Sequence, residues 1–293
     1  MTASAPAPAD LGGRTFVVTG ANTGIGKETA RDLAARGAHV VLACRSEAKT
    51  RPVMDELAAA SPGARLDFVA LDLGDLDSVR ACAAALLARD QPIHVLVNNA
   101  GLAGVRGQTK DGFELAFGTN HLGHYLLTRL LLERVRGSAA PGVPARIVNV
   151  SSDSHYSAPG IDWDAVRQPS RTTTGLREYE VSKLANVLFT RELARRLPPA
   201  EVTTYALHPG VVASDIWQRR VPRFVSFIPR LFMKNTRDGA ATTLHCATSP
   251  EVATHTGRYY ADRKEKRPSR VAGDDALAAE LWDRSAAWVG LEP

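Results

Sequence analysis

Residues 15–27 read TFVVTGANTGIGK and contain the feature on which the fold prediction rests. A short β-branched run ends in a loop with glycines at 20, 24 and 26, and an amphipathic helical pattern follows. Such glycines let a turn approach a pyrophosphate closely, while the amides and dipole of the helix start favour its negative charge. A tight turn without a ligand is the alternative, but a loop at the first strand-to-helix turn favours dinucleotide binding. The loop residues expected to contact a cofactor are Gly20, Asn22, Thr23, Gly24, Ile25 and Gly26.

The rest of the chain alternates short apolar runs with helical patterns. Strands are predicted at 15–19, 39–43, 66–71, 93–97, 146–150, 202–207 and 258–260. Helices are predicted at 25–36, 47–60, 76–89, 112–136, 178–197, 237–247 and 275–288. This alternation predicts an α/β fold, a single-domain Rossmann-type doubly wound parallel sheet of about seven strands with helices on both faces. We assign residues 1–12 to a flexible N-terminal tail and residues 13–293 to the domain.

The composition is that of an ordinary soluble globule, with 44% apolar and 23% charged residues among 293. A formal charge of +5 permits an anionic cofactor, and no nucleic-acid-binding motif accompanies it. The three cysteines, Cys44, Cys82 and Cys246, lie too far apart for a disulfide framework or a metal site. They predict a reducing, cytoplasmic location. No apolar run is long enough to predict a membrane span.

The ends of the next strands carry residues suited to a dinucleotide. The second predicted strand ends in Ala43-Cys44-Arg45, with no carboxylate for a ribose hydroxyl. Arg45, helped by Lys49, is placed to meet a 2′-phosphate, which favours NADP(H) over NAD; a solvated loop arginine is the alternative. Asp72 and Leu73 follow the third strand, where a carboxylate can accept from the adenine amino group. Residues 98–101, NNAG, follow the fourth, where the amides can tie neighbouring strands together and the backbone of Asn99, Ala100 and Gly101 can line the cofactor cleft.

Residues 179–183, YEVSK, carry the predicted acid–base chemistry. Residues four apart on a helix share one face, which brings the Lys183 ammonium near the Tyr179 phenol. A phenol of pKa about 10 is a poor catalyst at neutral pH, and a nearby cation lowers that pKa. The spacing alone is a weak signal, because Tyr260 and Lys264 repeat it.

Five motifs, taken in order, resemble the short-chain dehydrogenase/reductase superfamily over residues 13–262. They are TGxxxGIG (19–26), NNAG (98–101), the asparagine of TNHLG (119–123), VSS (150–152) and YxxxK (179–183). Finer features look like the retinol-dehydrogenase-like branch, namely ACR (43–45), LDL (71–73), TNHLGH (119–124), SKLANVLF (182–189) and HPGVV (208–212).

The resemblance implies a catalytic tetrad. Tyr179 would exchange a proton with the substrate oxygen, and Lys183 would lower the tyrosine pKa and hold the nicotinamide ribose. The resemblance aligns Ser152 with the serine that polarises the carbonyl, and strand alternation lets only one of the adjacent Ser151 and Ser152 face the pocket. Asn120 would hold a water that links Lys183 to solvent. The residues that the resemblance places at the nicotinamide are Tyr179, Lys183, Pro209, Gly210, Val212 and Ser214, the last standing where the family often has threonine.

The resemblance implies that residues 212–236 cover the substrate, and apolar residues alternate with basic ones within 216–234. The resemblance implies a small lipophilic substrate. Contact with an anionic membrane surface and plain packing, within the domain or against a second subunit, are alternatives for 216–234. His121 and His124, one helical turn apart, are interpreted as helix packing rather than metal ligands.

Together these features predict an NADP(H)-dependent enzyme that interconverts a lipophilic aldehyde or ketone and its alcohol by hydride transfer. The family often forms homo-oligomers. Two alternatives are a non-catalytic NADP(H)-sensing protein on the same fold and a reductase of conjugated C=C bonds, like the protochlorophyllide reductases.

Overall fold

A computed structural model describes residues 10–210 and 236–293, and its eight strands form one sheet. The strands are β1 (Thr15–Thr19), β2 (His39–Cys44), β3 (Arg65–Ala70), β4 (Val95–Asn98), β5 (Ala145–Val150), β6 (Val202–His208), β7 (Arg258–Ala261) and β8 (Lys264–Lys266). Their order is β3-β2-β1-β4-β5-β6-β7-β8, and every pair is parallel except β7 with β8. The predicted doubly wound parallel sheet is confirmed.

Helices connect the strands and cover both faces of the sheet. They are α1 (Gly24–Ala35), α2 (Glu47–Ala60), α3 (Leu76–Leu87), α4 (Leu115–Phe117), α5 (Gly123–Arg136), α6 (Leu176–Arg196), α7 (Thr236–Thr248) and α8 (Asp275–Trp288). A π-helical turn, Gly118–Leu122, joins α4 to α5. None of the helices in the described ranges has the length and apolar character needed to cross a membrane.

The hydrophobic core has two layers, one on each face of the sheet. Alternation along β1 sends Val17 into the layer packed against α3, α5, α6 and α8. Phe16 and Val18 enter the other layer, against α1, α2 and α7. Because both faces are covered, the central strands are buried throughout and mostly apolar rather than alternating, as expected of a parallel sheet.

The functional crevice is set by the pairing of β1 with both β2 and β4. The chain leaves β1 towards β2 on one side, and β4 continues the sheet on the other. The carboxyl ends of β1 and β4 therefore lie side by side where the strand order reverses, which is where open α/β sheets bind ligands.

The structure corrects three details. Strand β8 was missed, because its two-residue turn uses Asp262 and Arg263 at φ 52° and 62°, without the usual glycine or asparagine. Tyr260 therefore lies on a hairpin and shares no helix face with Lys264. Leu11, assigned to the tail, is buried, and its amide donates to the Arg36 carbonyl over 2.8 Å, so the domain includes it.

Helix α8 is fixed to α5 and α6 by Trp282, which is buried. Its ring centroid lies 5.2 Å from that of Tyr125 and 6.0 Å from that of Phe189. The guanidinium groups of Arg129 and Arg196 lie 4.7 and 4.5 Å from the indole ring. The tryptophan thus joins three helices through aromatic packing and cation–π contacts.

We expect Trp282→Ala to lower the free energy of unfolding by about 3–5 kcal/mol, because the cavity cannot be refilled by the rigid aromatic neighbours. Urea unfolding followed by circular dichroism measures the change. The control is Val143→Ala at a 47% exposed position, where a change within about 0.5 kcal/mol is expected. Equal effects of the two substitutions would contradict this account of the packing.

Candidate active site

The start of α1 is built to receive an anion. Thr23 is its N-cap, yet the threonine side chain makes no capping hydrogen bond and the first turn carries no acidic residue. By contrast, α2, α3 and α8 begin at the capping side chains of Ser46, Asp75 and Asp274. The first amides of α1 are left to a ligand, and the helix dipole favours a phosphate there.

Close packing of the glycine loop explains its glycines. A Cβ on Gly26 would lie 2.3 Å from the Gly20 carbonyl oxygen and 2.5 Å from the Asn99 side-chain nitrogen, Nδ2. Gly24 has a positive φ of 54°, and a Cβ there would meet nothing within 4 Å. The loop is therefore closed against β4 and open outward, as a pyrophosphate cradle requires. These residues fit the dinucleotide that the sequence predicted.

The residues of NNAG make the predicted ties between strands. The Asn98 side chain donates to Asn149 on β5 (2.8 Å) and to Thr128 on α5 (3.0 Å). The Asn99 side chain donates to the Thr19 carbonyl at the end of β1 over 2.8 Å. These amides fix the three strand ends that border the crevice.

Tyr179 lies in the first turn of α6, and Ser152 and Lys183 lie beside it. The Ser152 hydroxyl lies close enough to the phenol to lower its pKa, and it accepts a hydrogen bond from the Ser154 amide over 3.1 Å. The Lys183 Nζ lies 5.5 Å from the centre of the tyrosine ring and donates to the Val150 carbonyl over 2.9 Å. Ser151 points elsewhere, as alternation predicted, and donates to the Lys183 carbonyl over 2.7 Å.

The expected lowering of the Tyr179 pKa is wrong for this arrangement. Burial raises the pKa of the phenol, and the neighbouring Ser152 hydroxyl opposes that rise. The physical reason is that the Lys183 ammonium bonds to the Val150 carbonyl rather than to the phenol oxygen. Burial also lowers the pKa of Lys183 to about 8.

Asn120 lies in the π-helical turn, a local geometry that is frequent at functional sites. Its side chain accepts from the Leu102 amide and donates to the Leu102 carbonyl, both over 2.9 Å. It also donates to Ser182, next to Lys183, over 2.9 Å. A Cβ on Gly101 would lie 3.2 Å from the Asn120 side-chain oxygen and 3.5 Å from the Lys183 Nζ, so glycine keeps the space between them clear.

The remaining predicted cofactor residues that the structure describes lie at or just after the carboxyl ends of strands. Arg45 is exposed at the end of β2, and no carboxylate among the described residues pairs with it. Asp72 is half-buried and accepts from the Gly74 amide over 3.0 Å, while the Leu73 side chain is buried in the core. Pro209 and Gly210 directly follow β6. Val212, Ser214 and the segment 212–236, except its last residue, lie outside the described residues.

Four residues that organise the site were not predicted from the sequence. Ser151 and Ser182 hold the catalytic helix to β5 and to Asn120. Thr19 accepts from the amides of Asn99 and Ala100, each over 2.9 Å. His124, interpreted as packing, contacts both Thr19 and Asn120. Only the four-residue spacing of Asn120 and His124 was visible in the sequence.

With this geometry established, comparison with known proteins defines the class. The family model described as short chain dehydrogenase matches residues 14–163. The chain belongs to the short-chain dehydrogenase family, whose members are NAD(P)(H)-using oxidoreductases. Within the family it falls in the retinol-dehydrogenase-like branch. Human retinol dehydrogenase 12 is 45% identical over 285 residues, covering 96% of this chain and 88% of the relative.

Solved structures support the same class. A Mycobacterium paratuberculosis protein of uncharacterised function is 34% identical with a TM-score of 0.77, covering 98% of this chain and 97% of its own. The 3-ketoacyl-(acyl-carrier-protein) reductase of Brucella melitensis, complexed with NADH, is 28% identical with a TM-score of 0.64. The match covers 85% of this chain and 96% of the reductase chain.

Burial of Lys183 predicts a pH dependence of stability. Its pKa falls from 10.5 to about 8 on folding, so between these values the unfolded chain binds more protons. The free energy of unfolding therefore rises with pH across this window, by up to about 1.4 kcal/mol per pH unit. Urea unfolding gives the free energy of unfolding of the wild type and of Lys183→Met at each pH. The difference between the two free energies should rise with pH between about pH 8 and pH 10.5 and should not change between about pH 6 and pH 7. A flat difference up to about pH 10 would count against the buried ammonium.

Proposed function

We propose that this chain is an NADP(H)-dependent oxidoreductase that interconverts a lipophilic aldehyde or ketone and its alcohol, with Tyr179 as the proton donor and acceptor. The observation that carries the proposal is the convergence of Ser152, Tyr179, Lys183 and Asn120 beside the uncapped glycine loop. Hydride transfer requires both parts of this site: the glycine loop to hold the dinucleotide, and the four side chains to bind the substrate oxygen.

The protonation states favour carbonyl reduction. Because burial raises its pKa, Tyr179 keeps its proton at neutral pH. A protonated phenol beside the Ser152 hydroxyl is suited to protonate an oxygen that gains negative charge. A bound nicotinamide would supply the hydride; Ser152 and Tyr179 would orient the carbonyl, and Lys183 would hold positive charge nearby.

The lipophilic character of the substrate rests on the predicted covering segment and on the name of the retinol dehydrogenase relative. A reducing, cytoplasmic location stays a prediction, which the three free and buried thiols of Cys44, Cys82 and Cys246 support. Homo-oligomer formation and membrane contact by 216–234 also stay predictions.

The first experiment follows NADPH absorbance with lipophilic aldehydes and ketones, including retinal, for the wild type and Tyr179→Phe. We expect the substitution to lower kcat at least about 100-fold, because the general acid is removed. NADPH affinity, measured by fluorescence, should change less than about threefold, since the ring remains. Undiminished turnover by the variant would refute the role of Tyr179. NADPH binding without wild-type turnover would favour the sensor hypothesis.

The choice of cofactor is tested by Arg45→Ala. Loss of a charge-assisted hydrogen bond to a 2′-phosphate should raise the NADPH dissociation constant by about 10- to 100-fold. NADH affinity should stay unchanged, because NADH lacks that phosphate. Arg51→Ala is the matched control, since Arg51 is exposed on α2 and already paired with Glu47 over 2.8 Å. Equal loss of NADH and NADPH affinity would show that Arg45 does not read the phosphate.

A further inference from the structure

His124 is buried on α5 and uses both of its ring nitrogens. Nδ1 lies 2.9 Å from the main-chain carbonyl oxygen of Asn120. Nε2 lies 2.9 Å from the hydroxyl of Thr19 at the end of β1. One side chain thus bridges the helix that carries Asn120 and the strand that leads into the glycine loop.

The partners of His124 assign its proton. A carbonyl oxygen only accepts, so Nδ1 carries the hydrogen and donates to Asn120. In the neutral ring Nε2 must then accept, and the Thr19 hydroxyl donates to it, in preference to the Val97 carbonyl at 3.4 Å. Burial lowers the pKa of His124 to about 4, and the Lys183 charge acts in the same direction, so the ring is neutral at neutral pH.

The two partners of the imidazole, Thr19 and Asn120, make further hydrogen bonds of their own. The Thr19 oxygen, having donated its proton, accepts from the amides of Asn99 and Ala100, each over 2.9 Å. On the other side, the Asn120 side chain donates to Ser182, the neighbour of Lys183 on α6. His124 therefore lies in the middle of a connected path from the cofactor loop to the catalytic helix.

His121, one helical turn before His124, is a histidine with a packing role only. It is equally buried, but its Nε2 contacts Ser285 on α8 over 3.1 Å, and its Nδ1 has no hydrogen-bond partner among the described residues. Its ring packs against Phe117 and Phe189. It faces away from the glycine loop and has no hydrogen bond to Thr19 or Asn120.

We propose that His124 is a positioning residue that couples the dinucleotide loop to Asn120, with the Nε2 bond setting cofactor affinity and the Nδ1 bond setting turnover. The part of this proposal that concerns turnover rests on the proposed function. Since each bond uses a different nitrogen, substitutions that preserve one bond at a time separate the two effects.

The test compares two variants of His124. In His124→Asn the amide nitrogen replaces Nδ1 and keeps the bond to Asn120, while no atom reaches Thr19. We expect the NADPH dissociation constant to rise about tenfold, as for the loss of one hydrogen bond, with kcat at saturating NADPH within about threefold of wild type. In His124→Gln the longer amide replaces Nε2, so affinity should be kept and kcat should fall about tenfold.

Controls separate positioning from stability. His121→Asn should lower the melting temperature without changing kcat or the NADPH dissociation constant. Thr19→Val should weaken NADPH binding, whereas Thr19→Ser, which keeps the hydroxyl, should restore it. Adding His124→Asn to Thr19→Val should cost little further affinity, because both remove the same bond.

Parallel loss of affinity and turnover in both His124 variants, or a change in melting temperature alone as in His121→Asn, would overturn the proposal. Additive effects of Thr19→Val and His124→Asn on affinity would also do so. If the wild type binds NADPH but reduces no carbonyl, the proposed function fails. In that case the Thr19 and His124 variants still test whether the Nε2 bond sets NADPH affinity.

Discussion

The parallel pairing of β1 with β4 is the constraint on which the site depends. It brings Thr19 next to Asn99, eighty positions later in the chain. From that contact follow the closure of the glycine loop against β4 and the anchoring of His124 from α5. Thr19, Asn99, Asn120 and Lys183 are joined along this edge by the contacts of the described residues.

Several polar groups are buried at this edge and make hydrogen bonds there, although the Asn98 Oδ1 has no partner among the described residues. The Lys183 ammonium donates to a carbonyl, the Asn98 amide to two side-chain oxygens, and His124 to a carbonyl while accepting from a hydroxyl. Burying such a group without partners costs about 1–3 kcal/mol or more. A hydrogen-bonded network of this kind has few alternative arrangements, and it holds the reacting groups in place before a ligand binds.

The sequence predicts local features well. The glycine loop and the Tyr179–Lys183 pair were readable because their signals lie within a few residues, and all seven predicted strands occur with boundaries shifted by at most two residues. Long-range partners were not readable. His124 bonds to a threonine 105 positions away. The raised pKa of Tyr179 depends on burial and on a carbonyl that draws the lysine away, and neither follows from the spacing of the pair.

The two edges of the sheet have a consequence for association between molecules. An edge strand exposes unpaired amides and carbonyls to which a foreign strand can add. Here β8 is only three residues long, and its exposed side chains are lysine, glutamate and lysine. At the opposite edge, β3 presents Arg65 and Asp67. Adding another strand would bring charges against its neighbour and cost their hydration, so both edges disfavour aggregation of the sheet.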